Sequence, residues 1–256
     1  MPASPSISSE NLTIRFGGHA AVNNVTCAFH PGELTVIVGP NGAGKTTWFN
    51  LVSGQLRPSA GRIMLGQRDI TGLSPSDRAK AGIGRAFQLT NLFPKLSVLE
   101  NVRLAVQARE GHGPRLFTRT SRFTGVTDKA MQYLAETNLA TVAHLPASAL
   151  PHGDQRKLEV ALLLAMEPAI FMFDEPTAGM SVDEAPVILD LIARIKQDRS
   201  RTILLVEHKM DVVRALADRI VVLHNGELIA DGAPGEVMAL DLVREIYLGV
   251  GTEEVA

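Results

Sequence analysis

The sequence predicts an α/β fold with a mainly parallel sheet, and three observations carry that prediction. Short, continuously apolar runs alternate with longer segments of helical spacing through the second half, the order that parallel strands with crossover helices require. A glycine-rich loop, GPNGAGKTT, follows the apolar run Leu34 to Val38 and leads into a helix-like segment. No run reaches the ~20 apolar residues needed to span a bilayer: VALLLAMEPAIFMF is interrupted by Glu167 and Pro168, so its apolar residues belong to a core.

The elements follow in order. Asn11 to Phe16 and Val22 to Phe29 read as short strands with a Gly17-Gly18 turn between them. Leu34 to Val38 is apolar throughout, as in a strand buried on both faces. A helix from about Lys45 to Ser53 and a short strand from Gly61 to Leu65 come next. From Leu89 to about Leu150 the apolar positions recur at helical spacing, as in Val98, Val102 and Ala105. This region contains a basic, turn-like segment, Gly111 to Gly125, read as a solvated loop. Helices at Gln155 to Met166 and Asp183 to Gln197 precede strands at Ala169 to Phe173 and Thr202 to Val206. Ile220 to Leu223 and Glu227 to Ala230 form a hairpin around Asn225-Gly226, a strong turn signal. LVREIYLG closes the chain as a short helix.

Composition narrows the function. A chain of 256 residues with 45% apolar content suits one large domain, or a core with a subdomain. Its net charge of −2 leaves no overall basic footprint for gripping nucleic acid. A single cysteine, Cys27 in VTCAF, excludes an internal disulfide and reads as a small core residue. The N-terminal MPASPSISS has neither a basic nor an apolar region, so it is not a signal peptide and is expected to fray.

Three elements carry chemistry. In GPNGAGKTT, residues Gly39, Gly42 and Gly44 let successive backbone N–H groups, with those of Asn41 and Ala43, turn inward toward phosphate oxygens. Lys45 adds a point charge for the terminal phosphates, and the Thr46 hydroxyl can ligate Mg²⁺. The helix that begins there, with Thr47 in its first turn, directs its positive dipole end at the anion. In AIFMFDE a strand ends on Asp174, placed to hold the Mg²⁺ shell, and Glu175 follows, placed to orient or deprotonate water. In ILLVEH a buried strand ends near His208, whose imidazole can reach a γ-phosphate and the attacking water.

Taken together, GPNGAGKTT, the glutamine of GRAFQ, FMFDEPTAG and LLVEH resemble the ATP-binding cassette (ABC) ATPases of membrane transporters, over nearly the whole chain. The resemblance implies a P-loop NTPase with a RecA-like core (residues 6–88 and 158–232), an antiparallel β subdomain, an inserted helical subdomain (89–157) and a helical tail (233–256). It implies ATP and Mg²⁺ as ligands, Gln88 reaching the Mg²⁺ and the attacking water, and Phe16 stacking on adenine, although Phe16 equally fits a core strand position. It also identifies ALPHGDQRKLE as the signature loop, in which Gly153 closes over ATP held by a second subunit.

This loop departs from the common LSGGQ pattern. Pro151 removes a hydroxyl and an N–H donor, and Asp154 brings negative charge near a polyphosphate. The two ATP sites of a dimer are therefore expected to be unequal. Ser181 stands where many relatives carry Asp, and with Glu184 it forms an S-x-x-E capping box.

RFGGHAAVNNV, AGIGRAFQLTNLFPKLSVLENV, LPHGDQRKLE and REIYLG resemble the branch of branched-chain amino acid importers and their urea and amide relatives. The lipopolysaccharide-export ATPases share a similar tail. The branch implies a peripheral protein at the cytoplasmic face of the membrane. Its partners would be a second ATPase subunit (a different chain or another copy), two transmembrane permease subunits and, indirectly, a solute-binding protein, with no nucleic acid. A DNA- or ribosome-directed ABC ATPase would carry coiled coils, tandem cassettes or a basic surface. A GTP switch would carry an N-K-x-D-type motif. Neither set of features is present.

Overall fold

The computed structural model describes residues 7–86, 92–110 and 124–248. Gln88 and most of the basic segment from Gly111 lie outside the described residues. The chain forms two compact units. One takes the residues up to Ile83, then Ala169–Glu175, then those from Lys196 onward; the other takes Gly84–Pro168 and Pro176–Ile195.

The first unit contains two sheets. The antiparallel one has the order β2-β1-β4-β5, built from β1 (Ile7–Phe16), β2 (His19–Phe29), β4 (Ala60–Leu65) and β5 (Arg68–Asp69). Its first strand corrects the expected fraying for Ile7 to Ser9, and the rest of that stretch lies outside the described residues. Ile7 pairs with both Phe29 and Leu65 and is buried, and this burial offsets the cost of ordering Ile7 to Glu10. The β1–β2 connection is the expected Gly17-Gly18 turn, closed by a Phe16–His19 pair.

The second sheet has the order β10-β9-β3-β8-β7-β6. Its strands are β3 (Leu34–Val38), β7 (Ile170–Asp174), β8 (Thr202–Val206), β9 (Arg219–His224) and β10 (Glu227–Gly232), with β6 (Ile83–Ala86) entering at Ile83. β3 runs parallel to both β8 and β9, and β7 runs parallel to β8. β10 returns antiparallel to β9 through Asn225-Gly226, both at positive φ, 48° and 80°, as a tight hairpin turn demands. Every residue of β3, β7 and β8 is buried, which explains their lack of polar alternation.

α1 (Lys45–Val52) packs Trp48 and Phe49 into the core, with the Trp48 ring 5.3 Å from Phe29. The C-terminal end of α1 is held by a side chain from α2 (Pro75–Lys80). The buried Arg78 guanidinium donates to the Leu51 and Val52 carbonyls, both at 2.7 Å, and to the Thr71 carbonyl at 2.8 Å. A charged group thereby satisfies carbonyls that the helix end leaves without partners. α7 (Met210–Leu216), α8 (Pro234–Ala239) and α9 (Asp241–Leu248) complete this unit.

The second unit is helical: α3 (Val98–Arg109), α4 (Thr124–Glu136), α5 (His152–Ala165) and the start of α6 (Ala185–Gln197). Val98, Val102 and Val106 of α3 meet Ala130 and Leu134 of α4 and Leu158 and Ala161 of α5, the 3–4 spacing read in the sequence. Three helix starts move. Thr124 and Gly125 belong to α4, α5 begins at His152, not at Gln155, and α6 begins at Ala185, not at Asp183. No helix among the described residues is long and apolar enough to cross a membrane.

Candidate active site

The strand register brings the site together. Ile37 of β3 pairs with Val206 of β8, and Val206 pairs with Asp174 of β7. These strands are parallel, so the segments that follow them leave from one edge of the sheet. Gly39 to Gly44, Glu175 and Glu207-His208 therefore share that edge, where open α/β sheets bind ligands.

The glycines of the loop have different duties. A Cβ at Gly39 would stand 2.2 Å from the Leu223 carbonyl oxygen, and one at Gly44 (φ 98°) would stand 2.4 Å from that of Ala21. Here the loop lies tightly against β9 and β2. A Cβ at Gly42 (φ 81°) would meet nothing within 4 Å among the described residues, so this glycine serves the turn itself. The hairpin turn pins the loop from behind, with Gly226 N–H donating to the Ala43 carbonyl at 3.0 Å. Asn41 and Thr46 are exposed, Thr47 is half-buried, and Ala43 faces the core.

Lys45 is buried, and its Nζ donates to the Gly39 and Pro40 carbonyls at 2.6 and 3.0 Å. Burial lowers its pKa, while Glu175 and then Asp174 favour the charged form. No side chain caps α1, whose N-cap is Gly44. Its first N–H groups and dipole therefore suit an anion.

Asp174 is buried at the end of β7. Glu175 follows at φ 47°, a left-handed conformation that is uncommon and costly outside glycine. Its N–H donates to the Val206 carbonyl at 3.0 Å. This turn brings Glu175 Oε1 to 3.8 Å from His208 Nδ1. Both side chains reach solvent. Thr46 and Asp174 offer hard oxygen donors suited to Mg²⁺. No cluster of three or more His, Cys, Asp or Glu among the described residues could hold a metal alone, and Mg²⁺ typically completes its shell with water and substrate phosphates. Phe16 is 51% exposed at the tip of the β1–β2 hairpin, which removes the core-strand reading and leaves its face open.

Gly153 lies in the second unit. It is buried in the first turn of α5, and a Cβ there would meet the Glu184 carboxylate at 2.3 to 2.5 Å. Glu184 also accepts from Ser181 N–H and Oγ–H at 3.1 and 3.0 Å. Only one side of the expected capping box is thus present, since the serine hydroxyl donates to the carboxylate. Asp154 is paired with Lys157 at 2.8 Å, so much of its charge is answered locally.

Glu207 also belongs to this end of the sheet, next to His208. It stands in the run ILLVEH as an acid after four apolar residues, and only burial distinguishes it from a surface charge.

A family model described as ABC transporter matches residues 22–178. The chain is 38% identical over 252 residues to the high-affinity branched-chain amino acid transport ATP-binding protein LivG of Escherichia coli (strain K12), covering 96% of this chain and 98% of that protein. It is 37% identical over 251 residues to the corresponding protein BraF of Pseudomonas aeruginosa, with the same coverage. The crystal structure of a nucleotide-free ATP-binding cassette from an ABC transporter matches 96% of this chain and 99% of its own length, with a TM-score of 0.80 at 26% identity.

Proposed function

The chain belongs to the ABC transporter family as an ATPase subunit, and from that premise we propose that it powers import of branched-chain amino acids through partner permeases. The observation that carries the reading is the single sheet edge shared by the loop Gly39 to Gly44, Lys45, Asp174, Glu175 and His208. Near-complete coverage of LivG and BraF supports the solute class.

In this reading Phe16 stacks on the adenine and the loop N–H groups hold the phosphates. Lys45 leaves its carbonyl partners to bind the terminal phosphates. Thr46 and Asp174, with Gln88, would hold Mg²⁺, which would neutralise phosphate charge. Glu175 orients and deprotonates the attacking water, while His208 steadies the γ-phosphate. Gly153 and the α5 N-terminus complete the site of a second ATPase subunit, which returns its own signature loop to this one. The site completed by Gly153 is the weaker of the two, because Pro151 supplies neither hydroxyl nor N–H. Phe93, Leu96 and Leu145 lie exposed on linked backbone segments of the helical unit. This apolar surface suits a permease at the cytoplasmic face of the membrane.

The test is affinity capture of the tagged chain from detergent-solubilised membranes of its own cell. Recovery of a second small ATPase and two polytopic subunits supports the transport reading. Recovery alone, or with DNA or ribosomal partners, overturns it and leaves the ATP site standing.

A further inference from the structure

Glu207 is 1% exposed, yet it carries a carboxylate. Its Oε1 accepts from the backbone N–H of His208 at 2.9 Å and of Lys209 at 3.1 Å. The same oxygen lies 3.6 Å from His208 Nδ1. Its Oε2 is buried with no hydrogen-bond partner among the described residues. A buried acid with one unsatisfied oxygen is costly, and an apolar residue would serve the end of a core strand better. What the carboxylate supplies is a two-pronged clamp on the turn that leaves β8 and presents His208.

His208 has little else to hold it. Its side chain is 55% exposed, and the acid facing it from just after β7, Glu175, is 3.8 Å away, beyond hydrogen-bond distance. Where a side chain is this free, its backbone decides where it sits. Reacting groups lose up to about 100-fold when displaced by about 1 Å.

We propose that Glu207 is a positioning residue for the ATPase reaction: its buried carboxylate clamps the His208 and Lys209 amides and so sets His208 beside Glu175 and the γ-phosphate. The proposal rests on the role given above to His208, and its test separates the two.

The full chain, assembled with its partner subunits, is assayed at saturating ATP. Glu207→Ala lowers kcat at least about tenfold while KM and the affinity for a fluorescent ATP analogue stay within about twofold. Glu207→Gln, whose amide oxygen can accept the same two N–H groups, stays within about threefold of the parent. In a His208→Ala background, Glu207→Ala produces no further loss, because the residue acts through the imidazole. A multiplied loss in the double variant, or full activity of Glu207→Ala alone, overturns the proposal. Full activity of His208→Ala overturns the role of the histidine instead. Amide hydrogen exchange on the unsubstituted chain needs no variant to fold. Protection of both the His208 and Lys209 amides is expected, and rapid exchange at both refutes the clamp.

Discussion

Lys157 Nζ lies 2.8 Å from Asp154 Oδ1, one turn away on α5. The acid that breaks the common signature pattern is thus answered within its own helix. Asp154 also sits in the first turn, where the helix dipole favours negative charge. Replacing Lys157 by Met should expose that charge to the incoming polyphosphate. ATP-driven association, followed in a Glu175→Gln background that traps the closed pair, is expected to weaken about fivefold, or about 1 kcal/mol. Adding Asp154→Asn should restore it.

Glu175→Gln tests the proposed water-activating role directly. The amide preserves size but cannot take a proton. ATP binding should persist while turnover falls by about 10²–10⁴-fold, or roughly 3–5 kcal/mol of barrier. Retention of more than about a tenth of the parent rate in a phosphate-release assay would remove that role.

The loop glycines should rank by what surrounds them. Gly39→Ala places a methyl 2.2 Å from the backbone oxygen of Leu223, and a carbonyl in a sheet cannot yield as a flexible side chain can. A loss above about 3 kcal/mol is expected. Gly42→Ala meets no atom among the described residues and suffers only its left-handed φ of 81°, costing about 1–2 kcal/mol. Denaturant unfolding of the two variants checks the order.

Arg78→Met should destabilise the chain although it lies outside the active site. The substitution leaves the Leu51 and Val52 carbonyls at the end of α1 without their donor. The expected cost is about 3–5 kcal/mol, read from denaturant unfolding. Because α1 carries Lys45 and Thr46 at its other end, nucleotide affinity should fall as well.

Cys27 should behave as an inert thiol. Burial, and then the charge of Asp231, pushes its pKa from 9.0 up to about 12. At pH 8 its thiolate fraction, and so its rate of alkylation, should be about a thousandfold below that of the unfolded chain. Since the folded pKa exceeds the unfolded one, the unfolded state loses its proton first. Stability from this group is therefore full below about pH 9 and declines as pH rises toward 12. Iodoacetamide labelling of native and urea-unfolded chain measures the contrast.

Elements with a local cause are legible in the residues alone. GPNGAGKTT announces a phosphate loop because its glycines and lysine act within nine consecutive residues. β3, β7 and β8 were legible because strands buried on both faces lose all polar alternation. Asn225-Gly226 marked its hairpin by backbone preference alone. Features that depend on partners distant in the chain arise only on folding. Ile7 joins a strand only because Phe29 and Leu65 lie on either side of it. The left-handed turn at Glu175 relies on the Val206 carbonyl. Gly39 and Gly44 are confined by Leu223 and Ala21, and Gly153 by Glu184. Asp154 changes from an isolated charge to half of an ion pair once α5 begins at His152. Glu207 reads as a surface charge until folding buries it. Burial and long-range register are properties of the assembled chain, and no local pattern of residue types encodes them.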